Sequence, residues 1–481
     1  MTAHAKTAEI RSRLNHPIID SDGHLTEFVP IMLEYFDKAG GTDLIKRFQA
    51  EMDKTFLSQE WYRLDHAQRR QVRAKRNPFW GAPTGNTVDL ATSYFPDLMY
   101  ERMDDLGLDF AVLYPGLGIV AQGIADDDVR RTVCRALNDY YADLWGTHPD
   151  RYTPVATIPM HTPQEAIAEL EYACGKRGMK AAMLASHVRR PIAALAQQGL
   201  EVSRYAFWLD TFGIDSEHDY DPVWSKCQEL RVAPSFHGPG EGWGSRVSIS
   251  NHVYNHVGHF AAAQEAVCKS LLLGGVPRRF PGLRFLFLEG GVGWARSLLA
   301  DLVGHFEKRS LPGLMAYTNP RNLKRDLFAE LYQRYGGALR RNTPIEQLLD
   351  MQMKDNPQDP TDDFALSGIK SKQDLRDQFL TSFFFGCEPD DPVTSSAFDA
   401  RRNPFRARLN AVYGSDIGHW DVPDMGEVVE EAWEMVEKEM IDQNDFRDFV
   451  FANPVKLWTA TNPDFFKGTR VETQVSKAMA A

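Results

Sequence analysis

Eight short apolar runs recur along this 481-residue chain, and stretches with helical spacing separate most of them. The runs are Pro17–Asp20, Leu106–Pro115, Tyr152–Met160, Met179–Ala185, Val232–His237, Leu283–Glu289, Thr381–Gly386 and Asn410–Tyr413. Helices are expected at Asp126–His148, Pro163–Arg177, Pro222–Leu230, Asn255–Val276 and Val292–Glu307, and again at Gly426–Gln443, Asp445–Ala452 and Pro454–Thr459. Strands that alternate with helices run parallel, and eight such units favour a closed (β/α)8 TIM barrel over an open sheet. An open dinucleotide-binding sheet would carry a Gly-rich fingerprint after its first strand, where this chain has Asp22-Gly-His24.

Residues 16–460 are therefore expected to form a single barrel. Residues 25–100 read as an insertion or lid, with helical stretches at Pro30–Ala39, Gly41–Phe56 and Asp65–Arg76. The charged segment 310–375 breaks the rhythm and reads as a second insertion. Residues 461–481 form a C-terminal tail, and the polar residues 1–15 an arm or a surface helix.

Three of the runs end in polar residues flanked by glycine: Asp20-Ser-Asp22-Gly-His24, Phe236-His237-Gly, and Tyr413-Gly-Ser-Asp416-Ile-Gly-His-Trp420. Core strands prefer apolar ends, so carboxylates and imidazoles at three strand exits point to a shared site at the barrel mouth. A Lewis-acid metal needs three or four converging N or O donors with one position open. Asp22 and His24, two residues apart where the first strand ends, face the same way, and His237 and Asp416 would arrive from other strands. The four are the expected metal ligands.

The bulk composition excludes several partners. A formal net charge of −12, with no basic block, argues against nucleic acid or an anionic membrane as partner. The short run Arg69, Arg70, Arg73, Lys75 and Arg76 reads as a solvated helix face. Five scattered cysteines without a CxxC fit reduced core thiols. Neither a signal core at the N-terminus nor a membrane-length apolar stretch is evident, so a cytoplasmic protein is expected.

These strand-exit motifs, together with Phe280-Pro-Gly-Leu-Arg-Phe-Leu-Phe-Leu-Glu289-Gly-Gly-Val-Gly-Trp294 and the late Asn453-Pro-Val-Lys-Leu-Trp458, resemble the amidohydrolase-related group of metal-dependent hydrolases. That branch includes aminocarboxymuconate-semialdehyde decarboxylase and aromatic-acid decarboxylases. The resemblance implies a (β/α)8 barrel and a divalent metal, zinc first, with manganese or iron as alternatives. By position, Asp22 stands for the first histidine of the family's HxH and His24 for the second. His237 matches the histidine of strand five, and Asp416 the aspartate of strand eight. A carboxylate in the first position makes the site harder and more anionic.

Glu289 stands where mononuclear members commonly have a catalytic histidine. It is read either as salt-bridged to Arg296 or as a group that orients substrate, moves protons or helps to hold a second metal. His187 and His161, at the ends of strands four and three, are candidates to support the ligands or to join a second ion. His252, His256 and His259 space as one helical face that lines the mouth or caps it. Phe79, Trp80, Trp243, Phe384 and Phe385 read either as pocket wall or as core.

The expected activity is hydrolysis of a C–N or C–O bond, or non-oxidative decarboxylation, of a small carboxylate or amide. Asp416 takes up the proton of an attacking water in the first case and delivers a proton to carbon in the second. A dinuclear iron or manganese oxygenase on the same fold is the alternative. A further alternative is a non-catalytic subunit that keeps a structural metal site. A homo- or hetero-oligomer is expected.

Overall fold

The eight runs form eight parallel strands, each hydrogen-bonded to its neighbour in chain order. They are β1 (Ile19–Leu25), β2 (Phe110–Pro115), β3 (Tyr152–Ile158), β4 (Ala181–Leu184), β5 (Pro234–Phe236), β6 (Phe285–Phe287), β7 (Phe383–Cys387) and β8 (Ala411–Tyr413). This computed structural model describes residues 5–55, 60–77, 84–197, 206–238, 247–340 and 342–480. Every residue of the eight strands is buried, as expected where side chains fill the barrel on one face and meet helices on the other. The segment after β8 closes the ring on β1. Asp416 N–H donates to the Asp22 carbonyl (2.9 Å), and His24 N–H to the Ile417 carbonyl (2.7 Å). The result is a (β/α)8 barrel with insertions.

Strand β1 carries one extra residue relative to β2: Asp20 pairs with Ala111, but Gly23 with Leu113. A bulge of this kind bends the strand and re-aims its side chains. Here it falls between Asp20 and Gly23, in the stretch that carries Asp22.

The helices outside the barrel begin where their caps dictate. Asp126 accepts from the amides of Asp128 and Val129 at the start of helix Asp127–Leu144. Thr162 and Glu165 form a reciprocal capping box at Pro163–Leu170. Each such cap is worth about 1 kcal/mol. Between strands and helices lies an aromatic layer, with Phe236 stacked on Phe287 at 5.5 Å and Phe287 against Phe383 at 5.5 Å. Phe384 and Phe385 are fully buried within β7 and belong to this core. Phe79, Trp80 and Trp243 lie outside the described residues.

In the first long connection, a helix at Val29–Met52 kinks at Gly41, whose φ of 67° is left-handed. Shorter helices follow, at Thr87–Tyr94 and Pro96–Arg102 among others. Asp89 ties this segment to the region beyond β8 by accepting from Met425 N–H at 2.8 Å. In the basic run, the Arg69 guanidinium lies 3.6 Å over the Trp61 ring.

The second long connection holds the helices Leu311–Tyr317, Arg325–Tyr335 and Ile345–Met353 and leaves many large apolar side chains exposed. At the C-terminus, Phe465 and Phe466 are buried against Phe110 at the start of β2. At the N-terminus, helix Ala5–Arg13 is pinned by Thr7 Oγ1 donating to the Gly426 carbonyl.

Among the elements with no counterpart in the sequence reading, one lies beside the barrel strands. It is the antiparallel hairpin of Val188–Pro191 with Phe207–Asp210, closed by Arg190 on Asp210 at 2.9 Å. All five cysteines are free, and four are buried. No helix among the described residues is long and apolar enough to cross a membrane.

Candidate metal centre

Six side chains from four strand exits meet at the barrel mouth: Asp22 and His24 from β1, His237 after β5, Glu289 after β6, and Asp416 and His419 after β8. They form two overlapping donor sets. Asp22, His24 and His237 make one, and His24, Glu289, Asp416 and His419 the other; within each set the ligand atoms lie within 4.8 Å of one another. His24 Nε2 is the shared donor, 3.0 Å from Asp416 Oδ1, 3.4 Å from Glu289 Oε1 and 3.6 Å from Asp22 Oδ1. His237 Nε2 is 3.2 Å from Glu289 Oε1 and 3.6 Å from Asp22 Oδ1. His419 Nδ1 is 2.7 Å from Asp416 Oδ1 and 3.1 Å from Glu289 Oε1.

The local backbone explains the convergence. Asp20, one turn of the pleat below Asp22, accepts from the amides of Asp22 and Ser415 and from the Ser415 hydroxyl, and so locks β1 to the β8 exit. Gly414 has no room for a side chain, since a Cβ there would stand 2.7 Å from that of Asp22. Asp416 has a φ of 54° and Gly418 of 94°, a left-handed pair that curls the chain back and brings His419 beside Asp416. The His24 and His419 rings stack at 3.5 Å. Glu289 also sits at positive φ, 52°, before Gly290 and Gly291. Non-glycine residues held at positive φ carry strain that clusters at functional sites.

Burial dominates the electrostatics. It pushes Asp22 and Asp416 well above the usual carboxylate range, reinforced in both by Glu289. Burial works the same way on Glu289, but the facing His237 and His419 outweigh it and hold that carboxyl well below its ordinary value. His419 is the mirror image: burial would lower it, and Asp416 and Glu289 hold it well above the usual imidazole value. Burial and the neighbouring His419 push His24 down to about 4. Asp20 is raised to about 6 by burial, against the hydrogen bonds that it accepts.

Asp22 Oδ1, both nitrogens of His24 and of His237, Glu289 Oε1 and Asp416 Oδ1 are buried without a hydrogen-bond partner. Buried polar atoms are nearly always paired, and the orphans that converge, Nε2 of His24 and of His237 with the three carboxylate oxygens, fit a cation. Three carboxylates and three imidazoles suit a divalent metal of intermediate hardness.

Asp22, His24, His237 and Asp416 thus come together. Glu289 joins them, facing His24, His237 and His419; Arg296 instead donates to Asn403 Oδ1 at 2.7 Å. His161 and His187 fall in neither donor set. Burial, Arg130 and Arg190 push His161 down to about 2, so its ring is neutral; its amide donates to Glu165. His187 is half-buried beyond β4. The expected helix Asn255–Val276 divides into His252–His256 and His259–Leu273 at Gly258, and His256 and His259 line the mouth beside the cluster. The sequence reading passed over His419. Its only signal was a glycine one residue earlier, in a strand-exit turn already marked by Asp416.

The amidohydrolase family profile matches residues 19–337. Two solved structures are similar in fold. One is an amidohydrolase from Mycobacterium avium subsp. paratuberculosis, with 15% identity over 92% of this chain and 100% of that one and a TM-score of 0.52. The other is 5-carboxyvanillate decarboxylase from Novosphingobium aromaticivorans, complexed with manganese and 4-hydroxy-3-methoxy-5-nitrobenzoic acid. It shows 14% identity over 95% of this chain and 99% of that one, with a TM-score of 0.51.

Proposed function

The chain belongs to the amidohydrolase family, and from that premise we propose a metal-dependent hydrolase or carboxy-lyase that cleaves a C–N, C–O or C–CO2 bond of a small organic molecule. The observation that carries this reading is the set of buried, unpartnered donors on Asp22, His24, His237, Glu289 and Asp416. Asp22, His24 and His237 would hold a divalent ion, with Asp416 and Glu289 at its open side. Zinc, manganese and iron all accept this donor set, and manganese is the ion in the 5-carboxyvanillate decarboxylase. Such an ion would supply Lewis-acid polarisation of a substrate carbonyl or carboxylate oxygen.

The protein's own groups handle the proton. Asp416, 2.7 Å from His419 Nδ1, takes a proton from water in hydrolysis or gives one to carbon in decarboxylation. His419 is the most exposed member of the cluster and relays that proton to solvent. Glu289 sets its charge between the rings of His237 and His419. His24, kept neutral by burial, is free to ligate. Replacing Asp416 by Asn tests the reading: turnover of amide, ester and carboxylic-acid substrates should vanish while the fold melts normally. Retained turnover would remove Asp416 from the mechanism.

One observation favours a second reading. The two sets together offer six donor side chains, more than the three or four that one ion needs, and such a surplus would suit two ions and an oxygenase rather than one ion and a hydrolase. Metal analysis separates them, at one ion per chain against two with oxygen consumption. Exposed Tyr317, Tyr335, Leu339 and Met351 in the second insertion support an oligomer, which light scattering would test.

A further inference from the structure

A cavity of about 580 Å³ opens beside the donor cluster and shares Glu289 and His419 with it. That volume holds a small organic molecule. Its walls come from the segments after β5, β6, β7 and β8. Four carboxylates line it, those of Glu289, Glu388, Asp391 and Asp421, and among the described residues no lysine or arginine does.

The four carboxylates are not equivalent. Asp391 Oδ1 caps a turn by accepting from Val393 N–H at 2.8 Å, and Asp421 is exposed at the rim. Glu289 belongs to the donor cluster: its side chain is 5% exposed, and Oε1 has no hydrogen-bond partner. Glu388 is different. It is half-buried, lies within electrostatic range of Asp416, Glu289 and Asp421, and among the described residues its carboxylate has no hydrogen bond or ion pair, although the imidazoles of His256, His259 and His419 line the same cavity. An ion at the donor cluster would compensate Glu289 and Asp416 and leave Glu388 unanswered.

A carboxylate so placed is repelled by its neighbours and partly stripped of water, and an ammonium group answers both costs. A substrate anion reaching into the same space would meet repulsion instead. We propose that the substrate of this site carries a positive charge, as a small primary or secondary amine, and that Glu388 receives its ammonium group. The inference rests on the metal-dependent reading above and adds the class of substrate to it.

The test compares probes of matched shape on the metal-loaded protein. Benzylamine, benzyl alcohol and benzoate are titrated by calorimetry at neutral pH into the parent protein and into Glu388→Gln and Glu388→Asp, with metal content measured on each. Benzylamine should bind at least tenfold more tightly than either other probe. Glu388→Gln should lose that preference with metal content unchanged, and Glu388→Asp, which keeps the charge, should retain it. Benzoate binding as tightly as benzylamine, no benzylamine binding, or an unaltered preference in Glu388→Gln would overturn the assignment. If the protein takes up no metal at all, the enzymatic reading itself fails. Full metal loading with a preference for the anion defeats only the amine.

Discussion

Two of the clusters of buried charge in this barrel are built on opposite plans. On the flank, Arg130 and Glu165 pair at 2.8 Å with side chains 1% and 2% exposed. Glu165 Oε1 accepts from two backbone amides and Oε2 from Arg130, whose other terminal nitrogen donates to the Ile124 carbonyl. At the mouth, three carboxylates and three imidazoles crowd together with most of their polar atoms unmatched. A buried polar group that finds its partner inside the chain serves the fold. The unpartnered donors that converge at the mouth fit something from outside.

The largest effect should come from His24→Ala, which removes the donor common to both sets. Metal content should fall to near background by elemental analysis, and an unchanged stoichiometry would dissolve the contrast. Arg130→Ala attacks the other cluster. It should cost about 3–5 kcal/mol in chemical denaturation by stranding Glu165, with metal content untouched. Coupled loss of metal would mean that the two clusters are not separate.

A smaller effect is expected from protons. Asp22 and Asp416, raised by burial, keep protons in the metal-free protein that a metal must displace. Metal affinity should therefore rise with pH. The metal-free fold should lose stability as pH climbs out of the ordinary carboxylate range, because the folded chain holds protons that the unfolded chain has released. Binding heats that do not change between buffers of different ionisation enthalpy would count against this. Smallest of all is the exposed pair Lys438–Glu434, where Glu434→Gln should change stability by no more than about 0.5 kcal/mol.

Much of this contrast was legible in the residues alone. The strands could be counted because a short, largely apolar run marks each one, and the donors on β1, β5 and β8 stood out because polar residues beside glycine are unusual at the end of a core strand. What stayed hidden depended on backbone shape. His419 reaches the cluster only through the left-handed turn at Asp416 and Gly418, and an i+3 spacing does not announce that turn. Glu388 begins Glu388-Pro-Asp-Asp, which reads as a solvated turn, and nothing local shows that the barrel mouth lies over it. The hairpin at Val188–Pro191 pairs across a long excursion, and its Arg-Arg-Pro lacks the alternation that marks a strand.

The stitch between the β8 exit and β1 spans almost the whole chain, with Ser415 and Asp20 separated by 395 positions. A ribosome making this protein releases Asp22 and His24 long before Asp416 and His419. Until then the growing chain has no finished cage in which to trap a stray ion. Closing so long a loop is also slow, so ring closure and completion of the site should arrive as one late event rather than two.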